Sequence, residues 1–168
     1  MNASTSHAAV DQVRAALLAA GAASAAGGIR WFDDAVTTAA AAARALGVES
    51  GGIANSLVFT LDEEPLLVLT SGAHRVDTGF LGDRLGGRVG RASKETVKEA
   101  TGQVIGGVAP LGHPAPVRTL VDAALAEFPV VWAAAGHART VFPTTFDELV
   151  RITGGEPVPV EAPAGSAG

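Results

Sequence analysis

The residues best suited to chemistry lie in one short stretch, residues 106–114, which reads Gly-Gly-Val-Ala-Pro-Leu-Gly-His-Pro. Three glycines and two prolines in nine positions do not continue a helix or a long strand. Because glycine lets a ligand approach the main chain and proline stiffens it, we predict a rigid loop with accessible amides. An ordinary tight connection between strands fits the same residues and stays open here.

Histidines are the other candidates for chemistry, and the chain has four of them. His74, His113 and His137 each stand in a glycine-containing polar loop beside a β-like stretch, the kind of place where binding sites gather. Their spacing is not that of metal ligands, and the chain has no cysteine, so we expect no metal and no thiolate chemistry. The sequence also has no P-loop, nucleophile elbow or H-E-x-x-H motif, and we expect no cofactor.

Composition predicts one globular domain, since 48% of the 168 residues are hydrophobic and 17% are charged. We find neither an apolar run of about 20 residues nor a leader pattern, so we expect no membrane contact and a cytoplasmic location. A net charge of −5 argues against broad coating of nucleic acid. Positive charges nevertheless gather in one part of the chain, which we call the basic segment. Its cations are Arg84, Arg88, Arg91, Lys94 and Lys98. A phosphate-contacting patch and a solvated surface both fit this segment.

Periodicity and capping residues predict an α+β (mixed α/β) fold in a single domain. Helices are predicted over residues 8–20, 35–46, 78–85, 94–101, 122–127 and 146–153. Strands are predicted over residues 29–32, 53–61, 65–70, 88–92, 117–121, 130–134, 140–142 and 157–160. The second and third of these strands are separated by Asp-Glu-Glu, so we expect them to form a hairpin at the centre of the sheet.

Four segments also follow one another in a characteristic order. They read Ile-Ala-Asn-Ser-Leu-Val-Phe at residues 53–59, Leu-Val-Leu-Thr-Ser-Gly at 67–72, Thr-Gly-Gln-Val-Ile-Gly-Gly-Val-Ala-Pro at 101–110, and Ala-Ala-Gly-His at 134–137. Together they resemble the YbaK family of aminoacyl-tRNA deacylases, which is related to the editing insertion domain of bacterial prolyl-tRNA synthetase. The Gly-x-x-x-Pro pattern that begins at residue 106 is the most specific part of the resemblance.

The resemblance implies a fold and a division of the chain. A mixed, mostly antiparallel, β-barrel-like sheet is expected, flanked by helices and with the substrate in a cleft at one side. Residues 1–28 would then form an N-terminal helix and connection, residues 29–160 the editing domain, and residues 161–168 a disordered tail.

The resemblance also implies a site in which main-chain groups of the Gly-x-x-x-Pro loop hold the aminoacyl ester at the tRNA 3′ end. It assigns catalytic roles to Gly106, Pro110 and Asn55. The expected substrate-binding residues are Gly107, Val108, Ala109, His113, Ser71, Gly136 and His137. The resemblance also implies an enzyme that needs neither a metal nor a protein nucleophile, because a ribose hydroxyl of the terminal adenosine assists the hydrolysis.

Two positions depart from the family pattern. Many members carry a lysine where this chain has Asn55, and the only lysines here are Lys94 and Lys98. Asparagine donates and accepts hydrogen bonds but does not neutralise charge. The basic, glycine-rich turn common in the family is replaced after residue 136 by His-Ala-Arg-Thr, so His137 and Arg139 are expected to take over part of its polar role.

The resemblance therefore leads to a trans-editing deacylase that hydrolyses the ester of a mischarged tRNA. A small amino acid is the expected substrate and tRNA-Pro a candidate carrier, with the tRNA 3′ end and a synthetase as candidate partners. Such editing supplies the discrimination that a synthetase pocket lacks, since one methylene is worth only about 1–3 kcal/mol. The alternatives are a non-catalytic binder of aminoacyl-tRNA or of a synthetase, and a hydrolase of small esters. The sequence leaves the amino acid, the tRNA and the oligomeric state open.

Overall fold

The computed structural model describes residues 7–103 and 105–161. The predicted tail, residues 161–168, lies outside the described residues except for its first position. The helices are α1 (Ala8–Ala19), α2 (Ala23–Gly27), α3 (Ala39–Leu46), α4 (Thr78–Leu85), α5 (Lys94–Thr101) and α6 (Phe146–Thr153), with short 3-10 turns at Ser50–Gly52 and Ala123–Glu127. The strands are β1 (Arg30–Trp31), β2 (Ile53–Leu61), β3 (Glu64–Ser71), β4 (Val89–Arg91), β5 (Arg118–Asp122), β6 (Val131–Ala134), β7 (Thr140–Thr144) and β8 (Glu156–Val158).

The described strands form one mixed sheet in the order β1-β7-β6-β2-β3-β5-β8, with β4 paired to β2. The pairs β1–β7, β2–β3, β2–β4 and β6–β7 are antiparallel. The pairs β2–β6, β3–β5 and β5–β8 are parallel. The predicted mixed α/β fold is therefore confirmed. Among the described residues the path of paired strands stays open between β1 and β8.

The hairpin of β2 and β3 is confirmed as the centre of this sheet. It runs in unbroken register from the Ala54–Ser71 pair to the Leu61–Glu64 pair. Its two-residue turn has φ of 48° and 75°, the left-handed values of a type I′ turn, which matches the twist of the strands. The Asp62 carboxylate Oδ1 accepts a hydrogen bond of 2.9 Å from the Arg88 N–H. The turn is thereby fastened to the chain just before β4.

The other edge of β2 is only partly covered, and this gap positions the site. At its beginning β2 pairs with β6 through Ile53 and Ala54. At its end, from Phe59 to Leu61, it pairs with β4. No strand in the described part of the chain pairs with residues 55–58 on this edge. The strands β6 and β4 therefore flank an opening whose floor is the middle of β2.

Helix α3 is shorter than predicted, since it begins at Ala39 rather than at residue 35. Thr38 is its N-cap, and its Oγ1 accepts a 3.0 Å hydrogen bond from the Ala41 N–H. The preceding chain is held by main-chain bonds instead, among them Val36 N–H to the Ala138 carbonyl at 2.7 Å. This long-range pairing keeps residues 35–38 out of the helix that is predicted over residues 35–46. The N-caps of α4, α5 and α6 are Asp77, Ser93 and Thr145, each of which accepts a hydrogen bond from a main-chain N–H of the first turn.

The two larger of three apolar clusters in the described residues cover opposite faces of the sheet, because alternate side chains of a strand point to opposite faces. The larger core includes Val13 and Leu17 of α1, Leu67 and Leu69 of β3, and Phe142 of β7. The smaller core is made by the intervening strand residues with α4, and includes Leu66, Val68, Leu81 and Leu120. Full burial of a Val or Leu side chain contributes roughly 1.5–3 kcal/mol. Helix α1 is therefore an integral part of the larger core, whereas the domain boundaries given above remain a prediction.

The hairpin turn provides a test of these packing arguments. Glu63 has φ of 75°, a conformation that costs a side-chain-bearing residue about 1 kcal/mol relative to glycine. We expect Glu63→Gly to raise the free energy of unfolding by about 1 kcal/mol, measured by urea denaturation. The control Glu64→Gly lies inside β3 and should lower it by about 0.5–1 kcal/mol. A loss of stability in Glu63→Gly would contradict this account of the turn.

Candidate active site

The opening beside β2 is a cleft of about 590 Å³. Its floor is β2 from residue 53 to residue 59, and one wall is β6 from residue 132 to residue 134. The opposite wall contains Arg91 at the end of β4 and Gly106 in the glycine-proline loop. The beginning of α3 closes a further side. The cleft therefore lies between β6 and β4, the two strands that leave the middle of β2 without a partner on this edge among the described residues.

The floor of the cleft presents main-chain groups of β2. Gly72 N–H donates to the Ile53 carbonyl at 2.9 Å, so the main-chain groups of residue 53 face β3. Because these groups alternate along a strand, those of Ser56 and Val58 face the cleft, where no described strand meets them. The Ser56 hydroxyl is also buried without a hydrogen-bond partner among the described residues. Asn55 is half-buried and lines the same floor. The floor therefore offers polar groups to a ligand.

The glycine-proline loop is held by one side chain from each end. Gln103 Oε1 accepts a 2.6 Å hydrogen bond from the Ala109 N–H. His113 Nε2 lies 2.8 Å from the Ala109 carbonyl and donates to it. Both main-chain groups of Ala109 are thus already used, and residues 107–110 are buried. The predicted row of accessible amides is therefore wrong for Ala109, whose N–H is satisfied within the loop.

Gly106 and Gly107 are two of the positions in this loop that require glycine. Gly106 has φ of 97° and lines the cleft, where an added Cβ would lie 3.2 Å from Thr37 Cγ2. At Gly107 an added Cβ would lie 2.8 Å from the His137 carbonyl carbon. Real Cβ atoms do not make contacts that short. Residues 136–138 therefore support the loop from behind.

Burial lowers the pKa of His113 below its ordinary value, although the hydrogen bond to the Ala109 carbonyl works in the opposite direction. A neutral imidazole with its proton on Nε2 fits this position. His113 therefore fixes the shape of the loop from behind and does not line the cleft.

The other predicted site residues are distributed around the fold. Asn55, Gly106 and Val108 line the cleft together. Gly107, Ala109, Pro110 and His113 lie behind it in the same loop. The substrate-binding roles assigned to these and to the residues below remain predictions.

His137, Gly136 and Ser71 do not line the cleft. The His137 ring lies 4.9 Å from that of His7 and 5.0 Å from that of Trp31. Burial lowers its pKa, and the charges of His7 and Arg139 add to the effect. Ser71 donates through Oγ to the Gly51 carbonyl at 2.8 Å. Gly136 and His137 therefore lie outside the cleft, whereas Ser71 pairs with Ala54 beside Asn55 but directs its hydroxyl away from the cleft to Gly51.

Sequence reasoning did not place Arg91 in the site. It was grouped with the other cations of the basic segment, whereas among the described residues it is the one charged side chain that lines the cleft. The signal lies in the pairing of Arg91 with Phe59, which the sequence does not display. Within residues 7–103 and 105–161, no group of three or more acidic or histidine side chains could hold a metal ion. No helix in these ranges is long and apolar enough to cross a membrane.

The comparisons with known proteins agree with this arrangement. Residues 33–152 match the family model of the aminoacyl-tRNA editing domain, and the chain belongs to that family. The resemblance to the YbaK family is thereby confirmed. The crystal structure of a candidate trans-editing enzyme for prolyl tRNA synthetase superposes with a TM-score of 0.86 and 34% identity, covering 94% of this chain and 99% of that one.

Two curated relatives extend the comparison. The proline–tRNA ligase of Maridesulfovibrio salexigens is 38% identical over 68 residues, which are 40% of this chain and 12% of the ligase. The chain therefore matches only a small part of that enzyme's length. YwhH, an uncharacterised protein of Bacillus subtilis, is 30% identical over 108 residues, which are 64% of this chain and 69% of YwhH.

The lowered pKa of His113 predicts a pH dependence of stability. In the unfolded chain this histidine binds a proton near pH 6.5, whereas the folded protein resists protonation there. Stability should therefore be lost as the pH falls from 6.5 toward the folded-state pKa. We expect His113→Gln, which keeps a donor for the Ala109 carbonyl but does not titrate, to lose less unfolding free energy over this range. Urea denaturation at pH 7.5, 6.5 and 5.5 measures the difference, and equal losses in both proteins would contradict it.

Proposed function

We propose that this protein hydrolyses the ester of an aminoacyl-tRNA and that the cleft beside β2 is where the reaction occurs. The observation that carries the proposal is the meeting of Asn55 and Gly106 at the one stretch of β2 whose edge lacks a described strand partner. Membership of the aminoacyl-tRNA editing family supports this reaction class. Acting in trans on tRNA-Pro is proposed from the likeness to the candidate trans-editing enzyme and to the proline–tRNA ligase.

The reaction requires a water oxygen to attack the ester carbonyl carbon. The tetrahedral intermediate then breaks its bond to the ribose oxygen, which takes up a proton, and the free amino acid and tRNA leave. We propose that the Asn55 side-chain amide and main-chain N–H groups at the cleft surface donate hydrogen bonds to the developing oxyanion. Donors fixed before the reaction are effective because they need no reorganisation, and one is typically worth about 2.7–4 kcal/mol. A ribose hydroxyl of the substrate would assist the proton transfer.

The cleft lining favours a small aminoacyl group. Its apolar lining combines small residues such as Val36, Ala42 and Ala133 with the larger Leu57, Phe59 and Trp132, which fill part of the space. Such a wall accepts a methyl-sized group and offers few partners to a polar side chain. Because one methylene changes binding by about 1–3 kcal/mol, we propose alanine or another small amino acid as the group removed.

A non-catalytic binder of aminoacyl-tRNA is the second candidate, and one observation favours it. Asn55 is neutral, and within the described residues Arg91 is the one charged group in the cleft. A binder with this cleft would hold the aminoacyl end without hydrolysing it. Turnover by the purified protein separates the two functions.

The deciding experiment is deacylation of a panel of aminoacyl-tRNAs, including alanyl- and cysteinyl-tRNA-Pro. We expect the wild type to hydrolyse one with a small amino acid, and Asn55→Ala to lower kcat by about 10²-fold, because one oxyanion donor is lost. Asn55→Asp keeps the shape but removes the donor and should lower kcat as well. Thr60→Ala is the control, since Thr60 lies on the same strand outside the cleft.

Two outcomes would redirect the proposal. Full hydrolysis by a folded Asn55→Ala protein would remove this residue from the mechanism. Binding of tRNA without turnover on any member of the panel would favour the binder.

The exposed cations of the basic segment outside the cleft provide a separate test of tRNA contact. We expect the double variant Lys94→Gln/Lys98→Gln to bind tRNA more weakly at 50 mM salt. Each lost phosphate contact should also reduce the slope of log K against log salt by roughly 0.7–0.9. Arg44→Gln/Arg118→Gln, which neutralises two exposed arginines elsewhere, is the control. Equal affinities and slopes for the two double variants would indicate that the basic segment is an ordinary solvated surface.

A further inference from the structure

Arg91 stands apart from the other cations of the basic segment. Among the described residues it is the one charged side chain lining the cleft, whereas Arg88, Lys94 and Lys98 line separate surface depressions. No described side chain forms a hydrogen bond or an ion pair with its guanidinium group. The cleft therefore holds an arginine whose charge is not neutralised by any carboxylate of the described chain.

The register of the sheet determines where this charge lies relative to the floor of the cleft. Arg91 pairs directly with Phe59, and directly paired residues present their side chains to the same face of a sheet. Asn55 lies four residues earlier on β2 and, by the two-residue alternation of a strand, on that same face. At the usual rise per residue, the Cα atoms of Asn55 and Phe59 are about 13 Å apart along β2. The cation thus lies at one end of the floor and the asparagine at the other.

The chemistry of the proposed substrate limits what this arginine can bind. At the 3′ end of an aminoacyl-tRNA the amino-acid carboxylate is consumed in the ester, so it carries no negative charge. The amino group of the amino acid is repelled by a guanidinium when protonated. Phosphodiesters are the anionic groups that remain, and the one attached to the 5′ oxygen of the terminal adenosine is the nearest to the ester.

We propose that Arg91 binds the phosphate on the 5′ side of the terminal adenosine and thereby sets the position of the ester over Asn55 and Gly106. This inference rests on the proposed function, because it takes the aminoacyl end of tRNA as the occupant of the cleft. A planar guanidinium suits the task, since it pairs with two phosphate oxygens at once and fixes the orientation of the group it holds. Arg91 acts as a positioning residue and takes no part in proton transfer.

The test uses two hydrolysis-resistant probes, 3′-alanylamido-3′-deoxyadenosine with and without a 5′-phosphate. Binding to the full chain is measured by isothermal titration or NMR. We expect the phosphate to increase wild-type affinity by about tenfold or more, which is the scale of hydrogen bonds to a charged group. Arg91→Gln should abolish this difference, and Arg91→Lys should keep part of it. Arg118→Gln neutralises another exposed, strand-borne arginine and should retain the full difference.

The same measurements contain the results that would overturn the inference. Equal wild-type affinity for the two probes, or no binding of either at millimolar concentration, would overturn it. In Arg91→Gln, an unchanged phosphate effect or a loss of binding to the unphosphorylated probe would do the same. An Arg91→Gln defect seen with whole tRNA but not with the phosphorylated probe would assign Arg91 to another phosphate and would also overturn it. Because the probes are not hydrolysed, a wild-type protein without deacylase activity would refute the proposed function while leaving this test readable.

Discussion

The incomplete hydrogen bonding along one edge of β2 is the constraint on which the rest of the structure depends. The strand gives one edge entirely to β3 and divides the other between β6 and β4. Main-chain groups between these two partners need water or a ligand, since an unpaired polar group is costly when buried. The cleft must therefore remain accessible at Ser56 and Val58. Its walls stay apart because each is fixed by its own pairing with β2.

The glycine-proline loop meets this cleft through Gly106 and Val108, because other residues of the loop are committed elsewhere. The bond from Ala109 to Gln103 and the bond from His113 back to Ala109 close the loop on itself. Gly107 presses against the chain at His137, where a side chain has no room. This packing gives a rigid segment that presents Gly106 and Val108 to a ligand. Rigidity of that kind is what an oxyanion-stabilising group requires.

Charge around the cleft is divided between two tasks by the fold. The exposed cations beside it suit the phosphate backbone of a long polyanion, whose binding weakens with salt. Arg91, itself exposed, is the one charged residue among the described residues that line the cleft, the others being apolar or neutral and polar. A single cation in such a setting selects where an anionic group lies along the floor. The division arises because β4 ends at Arg91, at the wall of the cleft, whereas the next cations, Lys94 and Lys98, lie on the exposed surface of α5.

The sequence by itself determined the elements whose signals are local. Capping residues such as Asp77 and Ser93, the alternation along β2 and β3, and the turn between them act over a few residues, so the hairpin and most helices could be predicted. The family could also be recognised, because its segments retain their order. Tertiary structure alone decided the start of α3, the use of the Ala109 amide and the entry of Arg91 into the cleft. The first and the last depend on contacts between residues far apart in the chain, Val36 with Ala138 and Phe59 with Arg91, and a local pattern carries no record of such pairings. The Ala109 amide bonds to Gln103 only six residues away, but through a side chain whose direction no periodic pattern specifies.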